Sequence, residues 1–120
     1  MRNTISKTTR PVRKAKVSKT PPTASYSEWL IGRLKDHSEA AAYLEAALED
    51  GDQAVIMLAL RHVAQAQGGI AKVARKAKLT REATYRMLSS TGNPELRSLA
   101  AVLSAAGLRL AVKVKEKRAA

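Results

Sequence analysis

Between Gly68 and Ser90, GGIAKVARKAKLTREATYRMLSS, apolar and polar residues alternate in a way that leaves few folds open. Ile70, Val73, Ala74 and Ala77 recur at intervals of three and four, which places them on one face of a short helix. Leu79 falls in a tight connection, and Thr80 is a good N-cap for a second helix because its hydroxyl can accept from an orphan first-turn N–H. In that second helix Thr84, Met87 and Leu88 fall inward, whereas Arg81, Glu82, Tyr85, Arg86 and Ser89 fall outward. Two short helices across a tight turn, with hydrogen-bonding side chains on the outer face of the second, read as a helix-turn-helix at about residues 69–90. The polar row is the one that a recognition helix presents to a DNA major groove.

Charge supports a polyanionic partner. Lys plus Arg number 22 against 10 Asp plus Glu, a net +12, and nucleic acid fits that balance better than a membrane does. The excess is segregated. Residues 1–24 hold seven basic residues and no acid, 25–67 hold three basic and seven acidic, and 68–120 hold twelve basic and three acidic. A basic tail, an acidic segment and a basic segment therefore follow one another, and the two halves of the folded part are suited to different partners.

Residues 1–24 combine Thr, Ser, Lys and Arg with Pro11, Pro21 and Pro22 and only isolated apolar residues. Such a stretch cannot bury enough surface to offset its ordering entropy, so it is expected to be disordered. It reads either as a basic arm that tracks phosphates or as a solvated extension. Residues 25–120 are expected to form one all-α domain of five to six helices with a short C-terminal strand. Ser25–Lys35 is a short amphipathic helix capped by Ser27, with Trp29, Leu30 and Leu34 inside. After a turn at His37, Ser38–Glu49 forms an alanine-rich helix ending at Gly51, with Tyr43, Leu44, Ala47 and Leu48 as its inner stripe. Asp52 caps a central helix, apolar on more than one side, that Gly68 and Gly69 end.

Beyond the motif, Asn93 as N-cap with Pro94 at the first helical position predicts a helix over 94–106 that Gly107 stops, with Leu96, Leu99, Ala100, Val102 and Leu103 inward. Residues 108–115, LRLAVKVK, alternate with the period of a strand covered on one face. A lone strand needs an edge. That edge is either the same strand of a second chain or an edge strand of another protein.

Chemistry of the catalytic kind is not expected. His62 has no carboxylate or second histidine at metal-ligand spacing and reads as a packing or surface residue, and Glu45 with Glu49 reads as a solvated face. The chain has no cysteine, which excludes a disulfide frame, a thiolate metal site and a zinc finger. No phosphate loop, triad or metal cluster is found, so no catalytic residue, metal or cofactor is expected. A polar N-terminus and the lack of a long apolar run lead to the expectation of a cytoplasmic protein with no membrane partner.

The succession YLEAALEDGD, then ALRHVAQAQGG, then LTREATYRMLSSTGNPELRSLAAVLSAAGLRL resembles the addiction-module antidote proteins, HigA-like antitoxins with a phage-repressor-type DNA-binding domain. The likeness runs from about Tyr26 to Val114. It implies a type II toxin–antitoxin module in which the antidote silences a RelE/HigB-like ribonuclease toxin and represses its own operon through an operator. By position, Thr80, Arg81, Glu82, Tyr85 and Arg86 match the outward recognition pattern of that family, with Ser89 beside them. Lys72, Arg75 and Lys76 flank the groove as phosphate contacts, and the acidic Glu39, Glu45, Glu49, Asp50 and Asp52 would complement a basic toxin. A homodimer, possible through the C-terminal strand, would place two recognition helices on an operator. The sequence departs from the family in its longer basic tail and in Lys78, which stands where a turn glycine is common. A stand-alone regulator of phage or plasmid origin shares the same DNA face, and a helical interaction module is the reading without DNA.

Overall fold

A computed structural model describes residues 23–116. Six helices follow in order: α1 (Thr23–Arg33), α2 (His37–Asp50), α3 (Gln53–Ala66), α4 (Ile70–Ala77), α5 (Arg81–Met87) and α6 (Leu96–Ala105). All regular structure among the described residues is helical, as the period of the sequence predicts up to Gly107. The basic tail lies outside them except for its last two residues, which open α1. Ser27 is consequently inside α1 and does not cap it, because the helix starts upstream at Thr23, and the serine's preference for a cap does not outweigh that continuation.

Local signals set most of the other boundaries. Asp36 caps α2: its carboxylate accepts from the Ser38 N–H at 2.8 Å, the Ser38 hydroxyl at 2.7 Å and the Glu39 N–H at 3.4 Å. The Ser38 hydroxyl bond, and then the two backbone bonds, hold the Asp36 carboxyl below its usual range. This cap draws His37, expected in a turn, into the first turn of α2. Gly51 ends α2 in the left-handed region at φ 83°, and Asp52 caps α3 by accepting from the Ala54 N–H at 2.9 Å.

The core is aliphatic and centres on α3, whose Met57, Leu60, Val63 and Ala64 are buried against α1, α2 and α4. Leu34 of α1, Leu44 of α2, Val73 of α4, Leu88 after α5 and Val102 of α6 complete it. Gln67 joins the ends of two helices, its amide donating to the Leu34 carbonyl at 2.9 Å while its Oε1 meets His37 Nε2 at 3.1 Å.

Several sequence expectations give way here. Trp29 is 56% exposed and Leu48 57%, not inward, since α1 and α2 each need only their Leu30/Leu34 and Leu44/Ala47 positions to cover α3 and neighbouring elements. Helix α6 begins at Leu96 with Glu95 at the cap position, so Asn93 and Pro94 stand in the connection. The cause is tertiary: Gln53 of α3 donates to the Gly92 carbonyl at 2.7 Å, and a Cβ on Gly92 would come within 2.0 Å of the Met87 carbonyl oxygen. The chain is thus pinned against the end of α5, and residues 93–95 are spent returning from it. Leu96 is left 72% exposed, and Ala100 also faces solvent. Gly107 does end α6, at φ 83°, with the Leu108 N–H bonded back to the Leu103 carbonyl at 2.8 Å. Residues 108–116 then adopt neither helix nor ladder; the strand expected at 108–115 is not formed in the single chain, because a ladder needs a partner edge.

Candidate nucleic-acid interface

Helices α4 and α5 are joined by residues 78–80. Helix α4 ends in a Schellman motif: the Leu79 N–H reaches the Ala74 carbonyl at 2.9 Å and the Lys78 N–H the Arg75 carbonyl at 3.1 Å. Lys78 holds the left-handed position of that motif at φ 62°, the position a glycine would occupy without steric cost. Thr80 then caps α5 as its sequence suggests, accepting from the Ala83 N–H at 3.0 Å. Thr84 is fully buried, and its hydroxyl is satisfied by the Thr80 carbonyl at 2.8 Å. One threonine thereby caps the helix and the next anchors it.

The inward residues of the motif divide as expected. Ile70, Val73 and Ala74 of α4 are buried, as are Thr84 and Leu88, while Ala77 and Met87 are half-buried. The outer face of α5 is open. Arg81, Glu82, Tyr85, Arg86 and Ser89 line one shallow depression, so the five outward residues predicted from spacing share one surface. The Arg81 guanidinium lies 5.8 Å from the centroid of the Tyr85 ring, a cation–π geometry that orders both side chains. Arg81 and Arg86 form no ion pair among the described residues. Lys72, Arg75 and Lys76 are exposed on α4, and Thr80 is exposed in the turn.

What holds this surface in place was not legible in the motif. The Arg61 guanidinium of α3 donates to the Leu88 carbonyl, and Gln53 of the same helix holds Gly92. These bonds span 27 and 39 residues, and no local pattern marks either side chain as a support.

The acidic residues are less concentrated. Helical periodicity sets Glu39 and Asp50 on one side of α2, with Glu45 and Glu49 roughly 100° round from them. Glu39 is paired with Arg33 at 3.0 Å, Glu45 with Lys113 at 3.6 Å, and Asp52 is engaged as the cap of α3. Glu49 and Asp50 are exposed at the end of α2. His62 packs against Tyr43, whose hydroxyl lies 2.8 Å from Nδ1. Burial, and secondarily the Arg61 charge, push the His62 imidazole below its usual range; burial pushes the Tyr43 phenol up. Among the described residues no three His, Asp or Glu side chains converge as metal ligands, and no helix is long and apolar enough to cross a membrane.

Among the described residues, then, six helices surround an aliphatic core, and α5 follows a short turn with its outer face open. Residues 29–114 match the family described as "Probable addiction module antidote protein", and the chain belongs to that family. An uncharacterized protein of Haemophilus influenzae is 33% identical over 79 residues, covering 66% of this chain and 80% of that protein. No solved structure matches. Membership makes the chain an antitoxin of a toxin–antitoxin system, with a toxin as its general partner.

Proposed function

We propose that this antitoxin binds operator DNA as a dimer through the outer face of α5, represses its own operon, and neutralises a RelE/HigB-like ribonuclease in the cytoplasm. The observation that carries the DNA reading is the shared, open surface of Arg81, Glu82, Tyr85, Arg86 and Ser89, on a domain whose preceding helix α4 also exposes three cations. Residues 69–90 act as a helix-turn-helix with α5 as the recognition helix. Arg81 and Arg86 read guanines, each bidentate contact being worth about 1–3 kcal/mol of discrimination. Thr80, Tyr85 and Ser89 bond to phosphates or base edges, and Glu82 accepts from a cytosine amine. Lys72, Arg75 and Lys76 add affinity that depends on salt and not on sequence. Two copies set their α5 helices about 34 Å apart, one DNA turn, so the operator is a palindrome.

For the toxin, the negative surface of Glu39, Glu45, Glu49, Asp50 and Asp52 supplies the complement to a basic nuclease, which must itself attract RNA phosphates. Glu49 and Asp50 carry most of it, because the other three carboxylates already hold a cation or a cap.

The test pairs two measurements. Arg81→Ala with Arg86→Ala is expected to weaken binding to the native operator far more than binding to random duplex. Equal binding of wild type and variant to the operator, with the same salt slope, would leave a protein-interaction module instead. Co-expression with the adjacent reading frame is expected to yield a stable complex and to restore growth; the absence of both would leave a stand-alone regulator.

A further inference from the structure

The chain has one Trp, three Tyr and no Phe, and two of these aromatic residues lie open on α1: Tyr26 is 51% exposed and Trp29 56%. Their ring centroids are 5.8 Å apart with the planes 32° from parallel, and the Arg33 guanidinium lies 5.5 Å from the Trp29 centroid. Spacings of three and four put the three side chains in one row along the helix. Leu30 and Leu34, each one position further on, take the buried stripe, so the row is left outside the core. Two rings with a guanidinium beside them suit a flat partner, through stacking and cation–π contact. The sequence that leads into this row is strongly basic, with seven Lys and Arg and no Asp or Glu among residues 1–24.

We infer that Tyr26, Trp29 and Arg33 form a stacking platform for the bases of a single-stranded nucleic acid, whose phosphates are neutralised by the basic sequence preceding α1. Every base has a π face, so a strand held by aromatic rings and cations is bound with little regard to its sequence. A duplex does not satisfy the row. Its bases are stacked on one another and offer only their edges in the grooves, so it would engage the cations and leave both rings in water. A basic protein, such as the nuclease proposed above, is disfavoured for the opposite reason: seven cations with no acid lead into the platform and repel it. Glu39 is occupied with Arg33 at 3.0 Å, an ion pair that helps hold the guanidinium beside the ring. Glu28 is the one exposed carboxylate within α1, and it stands roughly 100° round the helix from Trp29. The platform uses no residue of the α5 face and does not depend on the DNA reading.

Trp29 is the one tryptophan of the chain, so its fluorescence reports on the platform directly. A uridine oligonucleotide of about twelve residues, titrated into the full chain, is expected to quench it saturably at micromolar concentration. With a labelled strand read by anisotropy, Trp29→Ala is expected to weaken binding about tenfold and Tyr26→Ala several-fold, while Trp29→Phe loses less than Trp29→Ala. All three positions of change are exposed, and the helical circular dichroism is expected to stay intact. Arg10→Gln, Arg13→Gln and Lys14→Gln together are expected to lower the slope of log affinity against log salt by about two. An unquenched Trp29, equal affinity of wild type and Trp29→Ala, or a salt slope that the three tail changes leave as it was would overturn the proposal. So would a duplex of the same length that, in the variant Arg81→Ala with Arg86→Ala, quenches Trp29 as strongly as the strand does. Loss of toxin co-purification in Trp29→Ala, with strand affinity unchanged, would make the row a protein contact instead.

Discussion

Arg61 of α3 donates to the carbonyl of Leu88, 27 residues along the chain, and so ties the last turn of the exposed helix α5 to the buried centre of the fold. An arginine–carbonyl bond is charge-assisted and its loss leaves a carbonyl at a helix end unmet. Arg61→Ala is expected to cost about 1.5–3 kcal/mol in urea unfolding. It is also expected to weaken operator binding although Arg61 lies off the outer face. Unchanged affinity in a folded variant would show that α5 needs no such support.

Lys78 occupies the left-handed end of α4 at φ 62°. A side chain there costs on the order of 1 kcal/mol, which glycine avoids at the expense of some unfolded-state entropy. Lys78→Gly is therefore expected to raise stability by about 0.5–1 kcal/mol, visible as a Tm several degrees higher. A lower Tm would mean that Lys78 makes a compensating interaction.

Burial separates two substitutions that hydrophobicity alone would rank together. Leu88 is fully buried, and Leu88→Ala is expected to cost about 2–5 kcal/mol. Trp29 is 56% exposed, stacked with Tyr26 at 5.8 Å between centroids and with Arg33 at 5.5 Å from its ring, and Trp29→Ala is expected to cost about 1 kcal/mol or less. Chemical denaturation of both variants checks the contrast.

Acid should weaken the fold through His62. Its folded pKa lies below the ordinary value of 6.5, so the native state favours the neutral ring. The stability contributed is fully present above the ordinary value and is lost as pH falls through the folded one. His62→Gln is expected to flatten this part of a stability–pH profile; an equal slope in both proteins would place the acid sensitivity elsewhere.

Lys72, Arg75 and Lys76 are exposed on α4, the helix that precedes α5. Each that neutralises a phosphate contributes about 0.9 to the slope of log affinity against log salt. Lys76→Ala is expected to lower that slope by about one and to weaken operator and random duplex alike. A selective loss on the operator would instead make Lys76 a base reader.

Much of this domain could be read along the chain. Gly51, Asp52, Thr80 and Gly107 act where the sequence places them, because a cap or a left-handed turn is a matter of a few neighbouring residues. The outward row of α5 was equally legible, since period alone separates it from Thr84 and Leu88. The boundaries that shifted are those where a distant group intervenes: Gln53 holds Gly92 and turns the Asn93–Pro94 start signal into a connection. Likewise Trp29, Leu48 and Leu96 lie on apolar stripes, but a stripe says only what can be buried, not how much neighbouring surface there is to bury it.

By itself, then, the sequence determined that the chain is helical, where most helices end, and which side chains line the outer face of α5, all consequences of short-range sterics and hydrogen bonding. Only the tertiary structure decided which apolar residues reach the core, how Arg61 and Gln53 brace α5 from α3, and that residues 108–115 stay without a ladder in the single chain. Those outcomes depend on groups far apart in sequence competing for the same partners, and a local pattern does not record who wins.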